Sequence, residues 1–169
     1  MGKTYEYRTT VTIGDTNLLQ HMYFVHFFTL QGITRDLWVK EVVPGGLESI
    51  KNGLVLITRS ARCEYKKDFY LYDKVLVRMQ VRNLRNASTE LVFKYYNEAR
   101  MELHAEGTNE IVTANNQGIC RIPENFRNAG WNIPSMNENS SLRVRKTISL
   151  LVGCMAPFRA GVFRGLRVP

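Results

Sequence analysis

Residues 4–13 alternate between apolar and polar side chains, as in a strand with one buried face. Gly14 and Asp15 interrupt this alternation. From Tyr23 to Val42 the apolar side chains recur every three or four positions, which predicts a helix with a wide buried face. Two consecutive aromatic pairs make the segment too apolar for a surface helix. We therefore expect it to be buried, with its end at Pro44 and the two glycines that follow.

Four further strand patterns follow the helix, at residues 53–65, 74–84, 88–96 and 101–122. The turn signal Arg85-Asn86-Ala87 predicts a hairpin between the second and third of these strands. Gly107 predicts a bulge or bend within the last one. One apolar helix followed by consecutive antiparallel strands packs most economically with the sheet wrapped around the helix. The pattern therefore predicts an α+β domain.

Composition separates a body from a tail. The chain has 169 residues, 44% of them hydrophobic, enough for one domain with a real core, which we place at residues 1–129. Residues 130–169 contain six basic residues and one acidic residue, so they supply +5 of the net charge of +8. The body lacks an RNP motif, a zinc finger and a recognisable helix-turn-helix, so we expect no nucleic-acid partner.

The predicted tail, residues 130–169, begins with a linker-like stretch rich in Asn, Ser and Pro. Isolated arginines among short apolar pieces follow. Disorder or loose docking is the first interpretation of this composition. The alternative is a short basic amphipathic element that lies on an anionic membrane or an acidic partner. The sequence has no run of about 20 apolar residues, so we expect no transmembrane segment.

Cysteine usage and the N-terminus bear on compartment and cofactors. Cys63, Cys120 and Cys154 are odd in number, widely spaced and without a CxxC arrangement. Neither a disulfide framework nor a zinc site is indicated, and we expect no metal and no cofactor. The N-terminus has no apolar h-region, so a secretory signal is not expected and the reducing cytoplasm is the predicted location.

The candidate chemistry lies in the turn between the first strand and the helix. Asp15, Asn17 and His21 fall within this short polar stretch, which leads directly into the apolar helix. The first turn of a helix offers unpaired N–H groups and the positive end of the helix dipole. A developing oxyanion is stabilised by such groups, so the sequence predicts a site at the start of the helix.

The same residues resemble a known family. Asp15-Thr16-Asn17-Leu18, Tyr23-Phe24-Val25 and the segment from Gln31 to Trp38 precede strands that include Tyr70-x-x-Asp73. Together they resemble the hotdog-fold acyl thioesterases of the 4-hydroxybenzoyl-CoA thioesterase type, and most closely the thioesterases of enediyne polyketide biosynthesis. The resemblance spans about residues 3–123. It implies a long central helix wrapped by a five- to six-stranded antiparallel sheet, in homodimers or homotetramers with active sites at the dimer interface.

The resemblance also implies roles for individual residues. Most hotdog thioesterases of this type carry an Asp nucleophile or base in the turn, where this chain has Asn17, which cannot accept a proton at neutral pH. The enediyne thioesterases share this replacement, which implies Asn17 and Arg35 as the catalytic pair. The implied substrate-binding residues are Tyr23, Phe24, His21 and Phe27. The family usually has Gly three residues after the Asn or Asp, but this chain has Gln20.

Each of these residues also has an ordinary structural interpretation. Asn17 suits a turn or helix cap, and Arg35 can pair with Asp36 or with an acid of a partner chain. Asp15 is the nearest carboxylate and either caps the strand end or replaces the missing base. His21 either shuttles a proton or is a polar helix-start residue. The aromatic side chains belong mainly to the core, although some would line an acyl tunnel.

Three functions follow from the resemblance. The first is hydrolysis of a long β-keto polyene acyl thioester from the acyl carrier protein (ACP) of an iterative polyketide synthase. The second is general acyl-CoA hydrolysis by the same fold, with the tail as a membrane-surface anchor. The third is non-catalytic binding of an acyl group or a partner, which the missing carboxylate and Gln20 make plausible.

Overall fold

The computed structural model describes residues 4–131. Six strands form one sheet: β1 (Tyr5–Thr10), β2 (Val55–Tyr65), β3 (Lys74–Arg82), β4 (Ser88–Asn97), β5 (Glu102–Asn115) and β6 (Gly118–Ile119). The strand order is β1-β3-β4-β5-β2, all neighbours are antiparallel, and β6 pairs with the end of β5. Three helices accompany them: α1 (Phe24–Val42), α2 (Gly46–Lys51) and α3 (Glu124–Trp131). The predicted α+β hotdog fold is confirmed.

Helix α1 and the inner face of the sheet form the core. Alternate residues of β3 and β4 are buried because they point at the helix, and most of their neighbours are partly exposed on the outer face, although Leu76 is buried as well. Phe27 of α1 meets the rings of Tyr65 and Tyr95 edge to face, at centroid distances of 4.9 and 5.2 Å. The Tyr95 hydroxyl donates a hydrogen bond to the Phe27 carbonyl at 2.9 Å.

Only one side of α1 is covered within the described chain. Its buried side chains are Phe27, Leu30, Gln31, Thr34, Trp38 and Val39. Phe24, Val25 and Ile33 are exposed, although the sequence predicts that the helix is too apolar to lie at a surface. The apolar residues outnumber the positions that this sheet can cover, so part of the helix surface suits a further contact.

Gly107 does not form the predicted bulge. It lies in regular register opposite Phe93 of β4 and Cys63 of β2. The ladder is instead irregular between Thr58 and Ser60 and between Tyr95 and Tyr96. The glycine is needed for space, because a Cβ there would lie 2.3 Å from the Gln31 amide nitrogen.

Two short helices lie outside the predicted pattern. Helix α2 occupies the polar stretch after α1. Helix α3 follows Pro123, which ends the predicted strand pattern, and the ring centroids of its Phe126 and of Trp38 in α1 are 6.4 Å apart. Proline followed by an acid is a common helix start, so this signal was present in the sequence. The predicted tail lies outside the described residues from position 132 onward.

Strand β2 is an edge of the sheet, and most of its side chains are exposed on both faces. The exposed residues include the apolar side chains of Val55, Ile57 and Tyr65. A long, exposed edge strand offers unpaired backbone groups to another strand.

None of the helices within residues 4–131 has the length and apolarity that a membrane span requires.

Candidate active site

The turn that precedes α1 is held by backbone and side-chain hydrogen bonds. A short 3-10 helix, Ile13–Asp15, follows β1, and the Asp15 carboxylate accepts hydrogen bonds from the Thr12 N–H and hydroxyl at 2.8 and 2.6 Å. The Tyr23 N–H donates to the Asp15 carbonyl at 2.8 Å, which closes the turn onto the N-cap residue of α1. The spacing Thr12-x-x-Asp15 is that of a capping box and was readable from the sequence.

Asn17 is exposed at the tip of this turn. Its Oδ1 accepts hydrogen bonds from the N–H groups of Leu19 and His21, at 2.9 and 3.3 Å. The Asn17 N–H donates to the His21 carbonyl at 2.9 Å. The amide oxygen therefore shapes the turn, whereas Nδ2 has no acceptor among residues 4–131. Asn17 offers a hydrogen-bond donor to a ligand, and no base.

Gln20 adopts a φ of 62°, the left-handed conformation that favours glycine. This conformation is the reason that glycine suits the position, and Gln20 adopts it with backbone strain. The Gln20 carbonyl accepts a hydrogen bond from the Leu71 N–H at 3.2 Å, so the turn is also fastened to the loop between β2 and β3.

Two histidines lie beside the turn, each against a carboxylate. His21 Nδ1 is 3.3 Å from Asp68 Oδ2, and its ring packs edge-on against Tyr70 at 4.7 Å. His26, in the first turn of α1, places Nδ1 3.3 Å from Asp15 Oδ1. The contact of His26 with Asp15 could not be predicted from the sequence, because it depends on how the turn folds back onto α1.

The predicted substrate-binding aromatic residues differ in position. Tyr23 and Phe24 are 44% and 51% exposed, with ring centroids 4.6 Å apart, while Phe27 is 3% exposed and belongs to the core. An open, mainly apolar depression of about 500 Å³ adjoins the turn. It is lined by Ile13, Thr16, Asn17, Leu18 and Tyr23. The free Asn17 donor therefore lies at the edge of a surface suited to an acyl chain.

Arg35 lies far from this depression. Its Nη1 donates to the Thr58 hydroxyl of β2 and its Nε to the Asp36 carboxylate, both at 3.0 Å. It follows Phe24 by eleven residues and thus lies about 16 Å further along the axis of α1. Within one chain the structure does not bring Asn17 and Arg35 together. It places Arg35 against the exposed edge strand instead.

Other chemistries have little support in the described chain. Burial raises the pKa of the Cys63 thiol to about 11, so this cysteine remains protonated at neutral pH and is a poor nucleophile. Residues 4–131 contain no group of three or more His, Cys, Asp or Glu side chains placed to hold a metal ion. Around the turn the site offers hydrogen-bond donors, two histidines and apolar surface, and the Arg35 guanidinium lies apart from it.

A long helix packed on a curled antiparallel sheet, with a polar turn at the start of that helix, defines the class of hotdog thioesterases. The model of the thioesterase-like superfamily matches residues 11–130. The chain belongs to this superfamily, a class of thioester hydrolases. No curated protein sequence matches it significantly.

Solved structures agree with this assignment. The dynemicin thioesterase is 26% identical, with a TM-score of 0.70, over 76% of this chain and 95% of that one. A 1,4-dihydroxy-2-naphthoyl-CoA thioesterase from Synechocystis is 14% identical, with a TM-score of 0.72, over 79% and 100%. A gentisyl-coenzyme A thioesterase is 22% identical, with a TM-score of 0.67, over 74% and 98%. At these identities the last two are similar in fold alone.

Proposed function

We propose that the protein hydrolyses a β-keto polyene acyl thioester from the acyl carrier protein of an iterative polyketide synthase, as in enediyne biosynthesis. The observation that carries the proposal is the free Asn17 Nδ2 donor beside an apolar depression, at a position where a carboxylate would serve as the base. The similarity to the dynemicin thioesterase, whose crystal structures concern polyene binding, supports the choice of acyl group.

The proposed mechanism uses positioning and electrostatics. Asn17 Nδ2 and the N–H groups of Phe24 and Val25, the first two of α1, donate to the thioester carbonyl. The N–H groups of Tyr23 and His26 already bond to backbone carbonyls. The Arg35 guanidinium stays charged and stabilises the oxyanion, or orients water toward the carbonyl carbon. Water attacks, the C–S bond breaks, and the thiol leaves with a proton from solvent. Without a strong base, turnover is slow.

This mechanism needs two chains. Arg35 contacts Thr58 on exposed edge strand β2, so pairing of β2 with the same strand of a second copy brings that copy close to Arg35. We propose that each site combines Asn17 of one chain with Arg35 of its partner, in a homodimer or homotetramer. The exposed apolar residues of the turn and of α1, which include Leu18 and Phe24, would then be covered.

Hydrolysis of a β-keto acyl group from the carrier protein and from CoA, measured in parallel, tests the substrate assignment. Arg35→Ala should lower kcat by about 10²- to 10³-fold, the effect of removing one oxyanion donor. Asp36→Asn is the matched control, because it removes the exposed ion-pair partner of Arg35 and leaves the guanidinium in place. Wild-type rates in Arg35→Ala would refute the proposed mechanism.

Mixing two inactive variants tests the shared site. Refolding Asn17→Ala together with Arg35→Ala gives mixed dimers in which one of the two sites is intact. Random pairing makes half of the dimers mixed, so about a quarter of the wild-type activity should return. A mixture as inactive as its components would show that the two residues do not act across an interface.

General acyl-CoA hydrolysis is the second candidate, favoured by the CoA thioesterases among the similar folds. Faster release from CoA than from the carrier protein would select it. Non-catalytic acyl binding is the third candidate. It is favoured because both Asp15 carboxylate oxygens and the Asn17 amide oxygen are already hydrogen-bonded or ion-paired. Tight binding of the acyl group without turnover would select this last function.

A further inference from the structure

The Asp15 carboxylate contacts residues before and after it in the chain. Its Oδ2 accepts both hydrogen bonds from Thr12, two residues after β1, and its Oδ1 faces His26 Nδ1 in the first turn of α1, 3.3 Å away. The Asp15 and His26 side chains are 33% and 28% exposed, so solvent reaches them only in part. Asp15 is therefore held by two hydrogen bonds on Oδ2 and faces the His26 ring with Oδ1.

The Asp15–His26 pair joins a polar side chain of the turn to one of α1, beside the ring contact of Tyr23 with Phe24. Backbone hydrogen bonds also hold the turn. One joins Tyr23 to Asp15, and others reach the loop between β2 and β3, from Met22 to Phe69 and from Leu71 to Gln20. The Asp15–His26 contact adds a side-chain link from the turn to the helix.

We propose that His26 is a positioning residue that acts through Asp15 to hold Asn17 at the start of α1. This inference rests on the proposed function, in which Asn17 Nδ2 donates to the thioester carbonyl. Asp15 and Asn17 are separated by one residue, so a shift of the carboxylate moves the amide with it. Catalytic geometry tolerates displacements of only about 0.5 Å, and a misplacement of about 1 Å can cost 10²-fold in rate.

Positioning through Asp15 requires that neutral His26 carry its proton on Nδ1, which faces Asp15 Oδ1 at 3.3 Å, and leave Nε2 bare. The cationic ring keeps the same Nδ1–H donor. Asparagine at this position supplies an amide donor close to where Nδ1 lies, whereas leucine fills similar space without a donor. These two substitutions separate the donor from the volume of the side chain.

The experiment compares wild type, His26→Asn, His26→Leu and Asp68→Asn in the full chain. Asp68→Asn is the matched control, because it weakens a histidine–aspartate pair of the same 3.3 Å distance on the other side of the turn. His26→Leu should lower kcat by about 10- to 100-fold with little change in KM, since it misplaces a donor that acts on the transition state. His26→Asn and Asp68→Asn should stay within about threefold of wild type.

Two structural measurements accompany the kinetics. Amide exchange at Leu19 and His21, whose N–H groups bond to Asn17, should accelerate at least about tenfold in His26→Leu and remain unchanged in His26→Asn. Nitrogen chemical shifts of the wild-type ring should report the Nδ1–H form. Wild-type exchange and rates in His26→Leu, or an Nε2–H ring, would overturn the proposal. Equal loss of activity in His26→Asn and His26→Leu would also overturn the proposal, because that result indicates a proton-transfer role for the ring.

The outcome is separable from that of the proposed function. If wild type hydrolyses neither the carrier-protein thioester nor the CoA thioester, the proposed function fails. The exchange and ring-nitrogen measurements then still decide whether His26 holds the turn, since they require no substrate.

Discussion

Gly107→Ala places one methyl group where the structure has no room for it. The added Cβ would lie 2.3 Å from Gln31 Nε2 and 3.1 Å from the Arg62 carbonyl oxygen. Gln31 is only 1% exposed, and its Nε2 donates to that same carbonyl at 3.3 Å. The Gln31 amide must therefore move, and the buried surroundings leave it few positions to occupy.

The cost has three parts. Overpacking a buried site costs about 1–3 kcal/mol, and loss of the hydrogen bond from Gln31 adds about 1 kcal/mol. Alanine is better than glycine in a strand by about 0.5 kcal/mol, which offsets part of this. We expect Gly107→Ala to lower the free energy of unfolding by about 2–3 kcal/mol, and Tm by roughly 5–10 °C.

Urea unfolding at fixed protein concentration measures this loss. Gly32→Ala in α1 is the matched control, because nothing lies within 4 Å of its added Cβ, and it should stabilise the helix by about 0.5–1 kcal/mol. In the double variant Gln31→Ala/Gly107→Ala the methyl enters the vacated space. The loss of unfolding free energy in the double variant should then be at least about 1 kcal/mol smaller than the sum of the losses in the two single variants. If the losses add within about 0.5 kcal/mol, the added methyl group does not clash with Gln31.

Three further predictions concern stability. Gln20→Gly should raise the free energy of unfolding by about 1 kcal/mol in urea unfolding, since φ is 62° there; no gain would contradict strain at this position. The Lys66 ammonium holds the pKa of Glu106 below its ordinary 4.5, so this stabilisation is present above pH 4.5 and is lost as pH falls through the lowered pKa. Lys66→Met should therefore lower Tm at neutral pH and converge with wild type in acid; a constant Tm difference across a pH series would contradict this. Tyr5→Phe removes a 2.7 Å hydrogen bond to Glu41 and should cost about 1 kcal/mol in urea unfolding, whereas an unchanged midpoint would show that the bond adds nothing.

Part of the candidate site follows from residues that are neighbours in the sequence, and part depends on residues that are distant along the chain. A polar turn before an apolar helix is a local pattern, so the sequence made Asn17 a candidate, and its catalytic role, which the resemblance implies, stays a prediction. The hydrogen bonds of Asn17 Oδ1 within the turn could be seen only in the structure. The structure separates Arg35 from Asn17 along α1, and their joint action across two chains stays a prediction.

The sequence alone determined the helix and the strands whose apolar residues recur at a regular spacing. The 3.6-residue spacing predicted α1 with its start within one residue. The two-residue alternation predicted β3, and the turn signal at residues 85–87 predicted its hairpin with β4. The predicted strand 101–122 divides into β5 and β6. The spacing of apolar residues and the residue types of a turn are properties of neighbouring residues, so they can be recognised without the tertiary structure.

Tertiary structure decided what depends on residues that are distant along the chain. Gly107 suggested a bulge in the sequence, yet it provides space for Gln31 of the helix. The sequence also did not connect Asp15 with His26, because their contact depends on how the turn folds back onto α1. Only the strand order made β2 an exposed edge, since it pairs with β5 across a long stretch of chain. Such contacts depend on how the elements pack, which no local pattern encodes.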